Sequence, residues 1–270
     1  MQRVPSTHHN SLVLRVWRFI FLMVISFVCS GCATPGSTTG HDPWVGMNRS
    51  IYGFNDGLDR GVVKPVAQGY KKITPDWARG AIGRFFANLE EPLNMANQLL
   101  QGKPLLFLQD TGRFVTNSTL GIGGLFDVAD RMNMPAHDED FGQTLAVWGV
   151  PSGPYFVLPF FGPSTVRDAP ARIPEFLFGD LGYFGVPDAV EWGLLGLEII
   201  DTRASLLNTD ATLDSAYDKY GVMRDAWIQR REYLIYDGNP PEETLELPPE
   251  EMESDADAPN DAASPAPPTN

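Results

Sequence analysis

The apolar run Tyr155–Phe161 is closed at both ends by residues that turn or break a chain. Pro151, Ser152, Gly153 and Pro154 precede it, and Gly162 and Pro163 follow it. Fully extended, its seven residues reach roughly 23–25 Å, short of the ~30 Å hydrocarbon core of a bilayer, so it cannot cross one. Pro159 inside the run removes a ladder donor and makes it a poor central strand. Two readings stand: a buried hairpin or helix-turn plug in a core, or a segment that dips into one leaflet.

The same punctuation runs through the whole chain. Its 26 Gly and 23 Pro in 270 residues exceed the usual combined share of about 12%. Short, broken helices joined by many turns are expected, in one domain of about 200 residues with tails. The formal net charge of −14 excludes nucleic acid as a partner, because phosphate neutralisation needs clustered Lys and Arg. Much of that charge is local: residues 242–270 carry nine acidic side chains and no basic one.

At the N-terminus, Arg15 and Arg18 precede an apolar stretch, Phe19–Cys29, and then Ser30, Gly31 and Cys32. A basic segment, a short apolar segment and small residues in that order form a secretory signal rather than a spanning helix. Residues 1–31 are therefore read as a signal peptide, and Thr34–Gly40 as a Thr/Ser/Gly linker. Cys29 and Cys32 are the only cysteines, so the mature body has no disulfide and no thiolate metal site.

In the body, Asp42-Pro43 reads as an N-cap followed by a proline suited to the first helical position. Trp44, Met47, Ile51, Phe54 and Leu58 then recur at helical spacing. Thr74-Pro75-Asp76 predicts a second helix, Pro92–Gln101 a third ended by Gly102, and Leu105–Thr119 a fourth. Arg113 and Asn117 lie one turn apart on that fourth helix. Gly121-Ile122-Gly123-Gly124 reads as a tight connection, since it lacks the Gly-Lys-Ser/Thr of a phosphate loop. Arg167–Glu175, with two prolines, is expected to be irregular. Pro187–Asn208 and Leu213–Tyr236 read as the last two helices, and residues 238–270 as an acidic, Pro-rich disordered tail.

Catalysis has little to work with. The mature chain holds two histidines, His41 and His137, which leaves one candidate base and makes a histidine metal site improbable. No cofactor and no metal are expected. A phospholipase with Ser152 or Ser164 as nucleophile and His137 as base is one alternative. A purely structural role is another.

Several blocks carry a resemblance: DPWVGMNRSIYGFNDGLDR, NLEEPLNMANQLLQGK, GRFVTNSTLGIGGLFDVA, HDEDFGQTL, WGVPSGPY and LPFFGPSTVRD. Together, from Asp42 to about Asp237, they resemble the MlaA (VacJ) family of outer-membrane lipoproteins that move phospholipid. Cys29-Ser30-Gly31-Cys32 resembles a lipobox, with Cys32 as the lipidated residue, although Cys29 stands where Leu is usual. Ala33, rather than Asp, is the pattern associated with the outer membrane.

The resemblance implies a mostly α fold: a compact ring or disc of short amphipathic helices in the inner, periplasmic leaflet, with a central amphipathic passage. It implies a single domain over residues 42–237. It also implies removal of phospholipid from the outer leaflet, association with a trimeric porin, and handover to a periplasmic lipid carrier of the MlaC type. The positions it points to, as passage-lining or ring-forming, are Asn55, Asp59, Arg113, Asn117, Phe141, Tyr155, Phe160, Phe161, Arg167 and Asp168.

Overall fold

The computed structural model describes residues 42–178 and 186–241. The signal peptide, Cys32, the linker and the acidic tail beyond residue 241 lie outside the described residues. Helix α1 (Val45–Leu58) runs through a π-helical turn (Asp59–Val63) into α2 (Lys64–Ile73). There follow α3 (Asp76–Leu100), α4 (Pro104–Thr119), the short α5 (Val128–Arg131) and α6 (Phe141–Val147). A hairpin of β1 (Tyr155–Leu158) and β2 (Gly162–Thr165) leads to α7 (Asp168–Phe178), α8 (Asp188–Leu206), α9 (Asp210–Ser215) and α10 (Lys219–Ile235). No helix among the described residues is long and apolar enough to cross a membrane.

The packing closes on itself. α2 packs on α8, α8 on α3, α3 on α6, α6 on α7, α7 on β2, and β1 back on α1. α4 packs along α3 outside this circuit, and α10 braces α6.

Several expectations are corrected. Pro92 does not open a third helix but sits inside the 25-residue α3. Its ring lies on the exposed face, so the helix loses one internal hydrogen bond without a clash in the core. Gly102 ends α3 as expected, with φ +75°. The Lys103 N–H reaches Gln98 O at 2.9 Å and the Gly102 N–H reaches Leu99 O at 3.1 Å, the paired bonds of a Schellman cap.

Arg167–Glu175 is helical rather than irregular: it lies mostly in α7, where Pro170 falls in the first turn, whose N–H groups have no partner anyway. The last helix is broken at Ala216–Asp218, between α9 and α10. There, Asp218 is drawn to Arg49 of α1 by two bonds, of 2.9 and 2.5 Å. Asp42 is no cap either; the N-cap is Trp44, without a side-chain bond. Asp42 is fully buried and accepts from Asn48 Nδ2 (2.7 Å) and the Tyr220 hydroxyl (2.5 Å).

The hairpin settles the central stretch. Pro159, Phe160 and Phe161 form its three-residue loop, with Phe160 at φ +68°. Pro163 stands opposite Val157, and the Val157 N–H, rather than pairing across the hairpin, donates to Asn48 Oδ1 at 2.9 Å. Asn48 Nδ2 also reaches Tyr155 O at 3.3 Å. One β-turn-length further along, Asn55 takes the Phe160 N–H (2.8 Å) and donates to Leu158 O (2.9 Å). Asn48 and Asn55 are seven residues apart, an advance of about 10.5 Å along a helix, close to the roughly 10 Å spanned by three strand residues. The carboxamides of α1 therefore take the place of a third strand. Tyr155 and Val157 are buried with Tyr220, against Val45, Ile51, Tyr52, Trp227 and Ile228.

Candidate functional site

The polarity of this molecule is inverted. Among the described residues, sixteen polar or charged side chains are buried but only eight apolar ones, four of those alanine. The largest fully buried side chains, Gln98 and Gln143, are polar. Conversely, Ile73 is 81% and Trp77 77% exposed, and large apolar side chains stand out from every long helix. Buried polar groups and extended exposed apolar surface are the two departures from ordinary globular packing that call for explanation.

The inversion is written into the helices at residue spacing. On α3, Asn88, Glu91 and Gln98 face inward while Leu89, Leu99 and Leu100 face out. On α4, Asp110, Arg113 and Asn117 face inward while Leu105, Leu108 and Val115 face out. Each helix is amphipathic, with its polar stripe turned to the protein.

Where these two stripes meet the segment 127–138, they line a half-open cavity of about 350 Å³. Gly83, Arg84, Asn88, Glu90, Glu91 and Asn94 supply its α3 wall. Arg113 and Asn117 come from α4, and Asp127, His137 and Asp138 close it. Arg113 is fully engaged: Nε to Glu91 Oε1 (3.0 Å), Nη2 to Asp127 Oδ2 (2.7 Å) and Nη1 to Met134 O (2.8 Å). Asn117 donates to Asp127 Oδ1 (3.1 Å) and accepts from the N–H groups of Val128 and Ala129. Asp127 in turn caps α5 through the Asp130 N–H. His137 Nδ1 lies 2.6 Å from Asp110 Oδ1.

One guanidinium thus serves two carboxylates. Burial, followed by the neighbouring charge of Asp110, raises the pKa of Glu91, and Arg113 offsets this only in part. Burial would also raise Asp127, but hydrogen bonds from Arg113, the Asp130 N–H and Asn117 hold it below the usual carboxylate range. Glu198 of α8, hydrogen-bonded to Glu90, is likewise raised by burial. Behind the lining, Asn88 Oδ1 is buried without a hydrogen-bond partner, while the buried Glu91 carboxylate is reached by Asn94 as well as Arg113.

The residues singled out from sequence fall into four places. Arg113 and Asn117 line the cavity. Asn55, Tyr155, Phe160 and Phe161 belong to the hairpin and its supports; Phe160 packs edge-on against Phe54 and Phe161 against Phe176. Phe141, Arg167 and Asp168 lie around a charged strap, in which Arg231 of α10 holds Asp140, the N-cap of α6, and Asp168, the first residue of α7. Arg167 Nε adds a 2.8 Å bond to Asp168, and Phe141 packs on Trp148. Asp59, in the π-turn, is gripped by Arg203 of α8 at 2.8 and 2.9 Å. Sequence reading missed Asn88, Glu91 and Asp127; the available signal was the polar spacing Asn88, Glu91, Gln98 within an otherwise apolar helix. Among the described residues, no group of His, Cys, Asp or Glu is placed to hold a metal.

Comparison with known proteins agrees with this architecture. The sequence pattern of the family described as "MlaA lipoprotein" matches residues 40–234. The "Intermembrane phospholipid transport system lipoprotein MlaA" of Escherichia coli (strain K12) is 38% identical over 215 residues, covering 77% of this chain and 84% of that protein. The protein of the same name from Haemophilus influenzae is 29% identical over 237 residues, 84% and 93% of the two chains. A solved structure described as "Structural basis for maintenance of bacterial outer membrane lipid asymmetry" superposes with a TM-score of 0.64 at 36% identity, over 72% of this chain and 98% of that one.

Proposed function

The chain belongs to the MlaA lipoprotein family, and on that premise we infer that it serves intermembrane phospholipid transport and the maintenance of outer-membrane lipid asymmetry. The observation that carries the reading is the inverted polarity. Apolar side chains face outward on every long helix although none of the described helices can cross a bilayer, which suits a body immersed in one leaflet. The buried polar stripes offer a lipid headgroup hydrogen bonds within that body, avoiding a bare desolvation that costs several kcal/mol.

In finer detail, the protein is anchored through Cys32 in the periplasmic leaflet. There it takes phospholipid from the outer leaflet through a passage bounded by the closed circuit of helices, beside a trimeric porin, and yields it to a periplasmic carrier. The cavity at Arg113 and Asn117 lies on the headgroup side of that route. The signal peptide is residues 1–31, the working domain 42–237, and the acidic tail is dispensable for transport. Hydrolysis is the lesser reading: the His137–Asp110 pair resembles a base and its orienting acid, but neither Ser152 nor Ser164 lines its cavity.

Phospholipid labelled in both headgroup and acyl chain, followed in the outer leaflet of cells with and without the gene, tests this. Intact lipid accumulating only without the gene supports transport. Lysolipid appearing only with the gene makes the protein an enzyme, and no change in either favours a purely structural role.

A further inference from the structure

α4 and α10 lie outside the packed circuit and carry outer faces of different chemistry. On α4 the exposed residues are Pro104, Leu105, Leu108, Val115 and Thr119, which from Leu105 onward recur at helical spacing and form one stripe. Its only two charged residues, Asp110 and Arg113, are both buried. The hydroxyls of Thr111 and Thr119 donate back to Phe107 O (2.7 Å) and Val115 O (2.6 Å), so the helix satisfies them itself. A face without charge, its hydroxyls already bonded, can leave water at little cost.

α10 differs. Its exposed stripe is Val222, Ala226, Gln229 and Tyr233, continued by Tyr236 just past the helix end. Among the described residues, exposed tyrosines occur only at 217, 233 and 236, on this helix and at its two ends. Tyrosine, an apolar ring with a hydroxyl, favours the boundary between hydrocarbon and water. Ion pairs flank the stripe: Arg230 with Asp138 (3.0 Å, side chains 68% and 65% exposed), Lys103 with Asp237 (2.6 Å) and Lys219 with Asp214 (2.5 Å). Stripping water from such pairs is costly, so this side of the molecule keeps its water.

A protein partner covers one delimited patch, whereas apolar side chains here stand out from every long helix; the occupant that fits is a fluid able to wet them all. We propose that the acyl chains of the leaflet cover α4, and that α10 lies along the headgroup layer with Tyr217, Tyr233 and Tyr236 at its level and Asp138, Asp214 and Asp237 turned to the water. This rests on the leaflet placement in the function proposed above and adds to it the orientation of the body, with the α10 side toward the periplasm.

The test uses the full-length lipoprotein in phospholipid nanodiscs, where acylation of Cys32 leaves an introduced cysteine as the one free thiol of the mature chain. Leu108→Cys and Val115→Cys on α4, and Ala226→Cys and Tyr233→Cys on α10, are spin-labelled one at a time. Power-saturation EPR then reads the access of each label to oxygen, which concentrates in hydrocarbon, and to nickel(II) ethylenediaminediacetate, which stays in water. The expected ratio of oxygen to nickel access is several-fold higher at both α4 sites than at both α10 sites. Equal ratios, or the reverse order, with oxygen access retained overturn the orientation while leaving the leaflet placement standing. Labels at Leu108→Cys and Val115→Cys shielded from both reagents show α4 packed against protein and overturn its contact with acyl chains. If all four sites are open to nickel and poor in oxygen, the leaflet placement falls together with the orientation. Each stripe is sampled twice at exposed positions, so a label that perturbs one site leaves the other to decide.

Discussion

Asn117 shows how much one buried carboxamide can carry. It receives two backbone N–H groups at the start of α5 and donates to Asp127. Asn117→Leu leaves the buried Ala129 N–H without an acceptor, so a loss of about 1–3 kcal/mol is expected, read from thermal unfolding in detergent. The carboxylates at Arg231 give a pH signature. Burial would raise Asp140 and Asp168, but the hydrogen bonds and charge of Arg231, joined at Asp168 by Arg167, hold both below the usual value. A depressed folded pKa contributes stability above the unfolded pKa of about 3.9 and loses it as pH falls through the folded value. Glu91, raised by burial and Asp110, has the opposite sign: its contribution favours folding at low pH and weakens as pH climbs through its raised pKa. Acid unfolding curves of Arg231→Met should lose the strap's component, together with about 3–5 kcal/mol of stability at neutral pH from the stranded carboxylates.

At the scale of elements, the hairpin and the strap are the two joints. A two-stranded hairpin is marginal by itself, and here α1 completes it through Asn48 and Asn55. Asn55→Ala should speed amide exchange at Phe160, and Asn48→Ala at Val157, measured by hydrogen–deuterium exchange. Unchanged protection would show that side-chain packing of Tyr155 and Val157 suffices. Gly142 lies in α6 where an added Cβ meets Arg231 and Asp168; Gly142→Ala is therefore expected to spread the strap and lower the unfolding midpoint. The prolines show where local rules lose to packing. Pro92 and Pro174 both lie within helices, because each costs one internal hydrogen bond that the packing of the flanking turns outweighs.

The molecule as a whole presents apolar side chains on its outside, from Phe54 and Trp77 to Leu105 and Trp192. The fold should therefore hold to membrane even without acyl chains. A full-length Cys32→Ala protein is expected to float with liposomes in a density gradient. Adding Ile73→Asp and Trp77→Asp at the α2–α3 corner should shift it toward the soluble fraction, and a singly substituted Cys32→Ala chain found wholly soluble would show that the lipid anchor alone holds it.

Sequence by itself determined the helical class, the absence of a crossing segment, the turn positions at Gly102 and Gly121–Gly124, and the pairing of Arg113 with Asn117 on one face. Those depend on spacing and on backbone preferences that neighbours within a few residues impose. It did not determine which face of each helix turns inward, because an amphipathic helix has the same pattern in a soluble core and in a leaflet. Nor did it determine that Asn48 and Asn55 would complete a hairpin over a hundred residues away, or that Glu91 and Asp127 would share Arg113. Such contacts join segments distant in the chain, and only the closed circuit of packed helices brings their side chains within hydrogen-bonding reach.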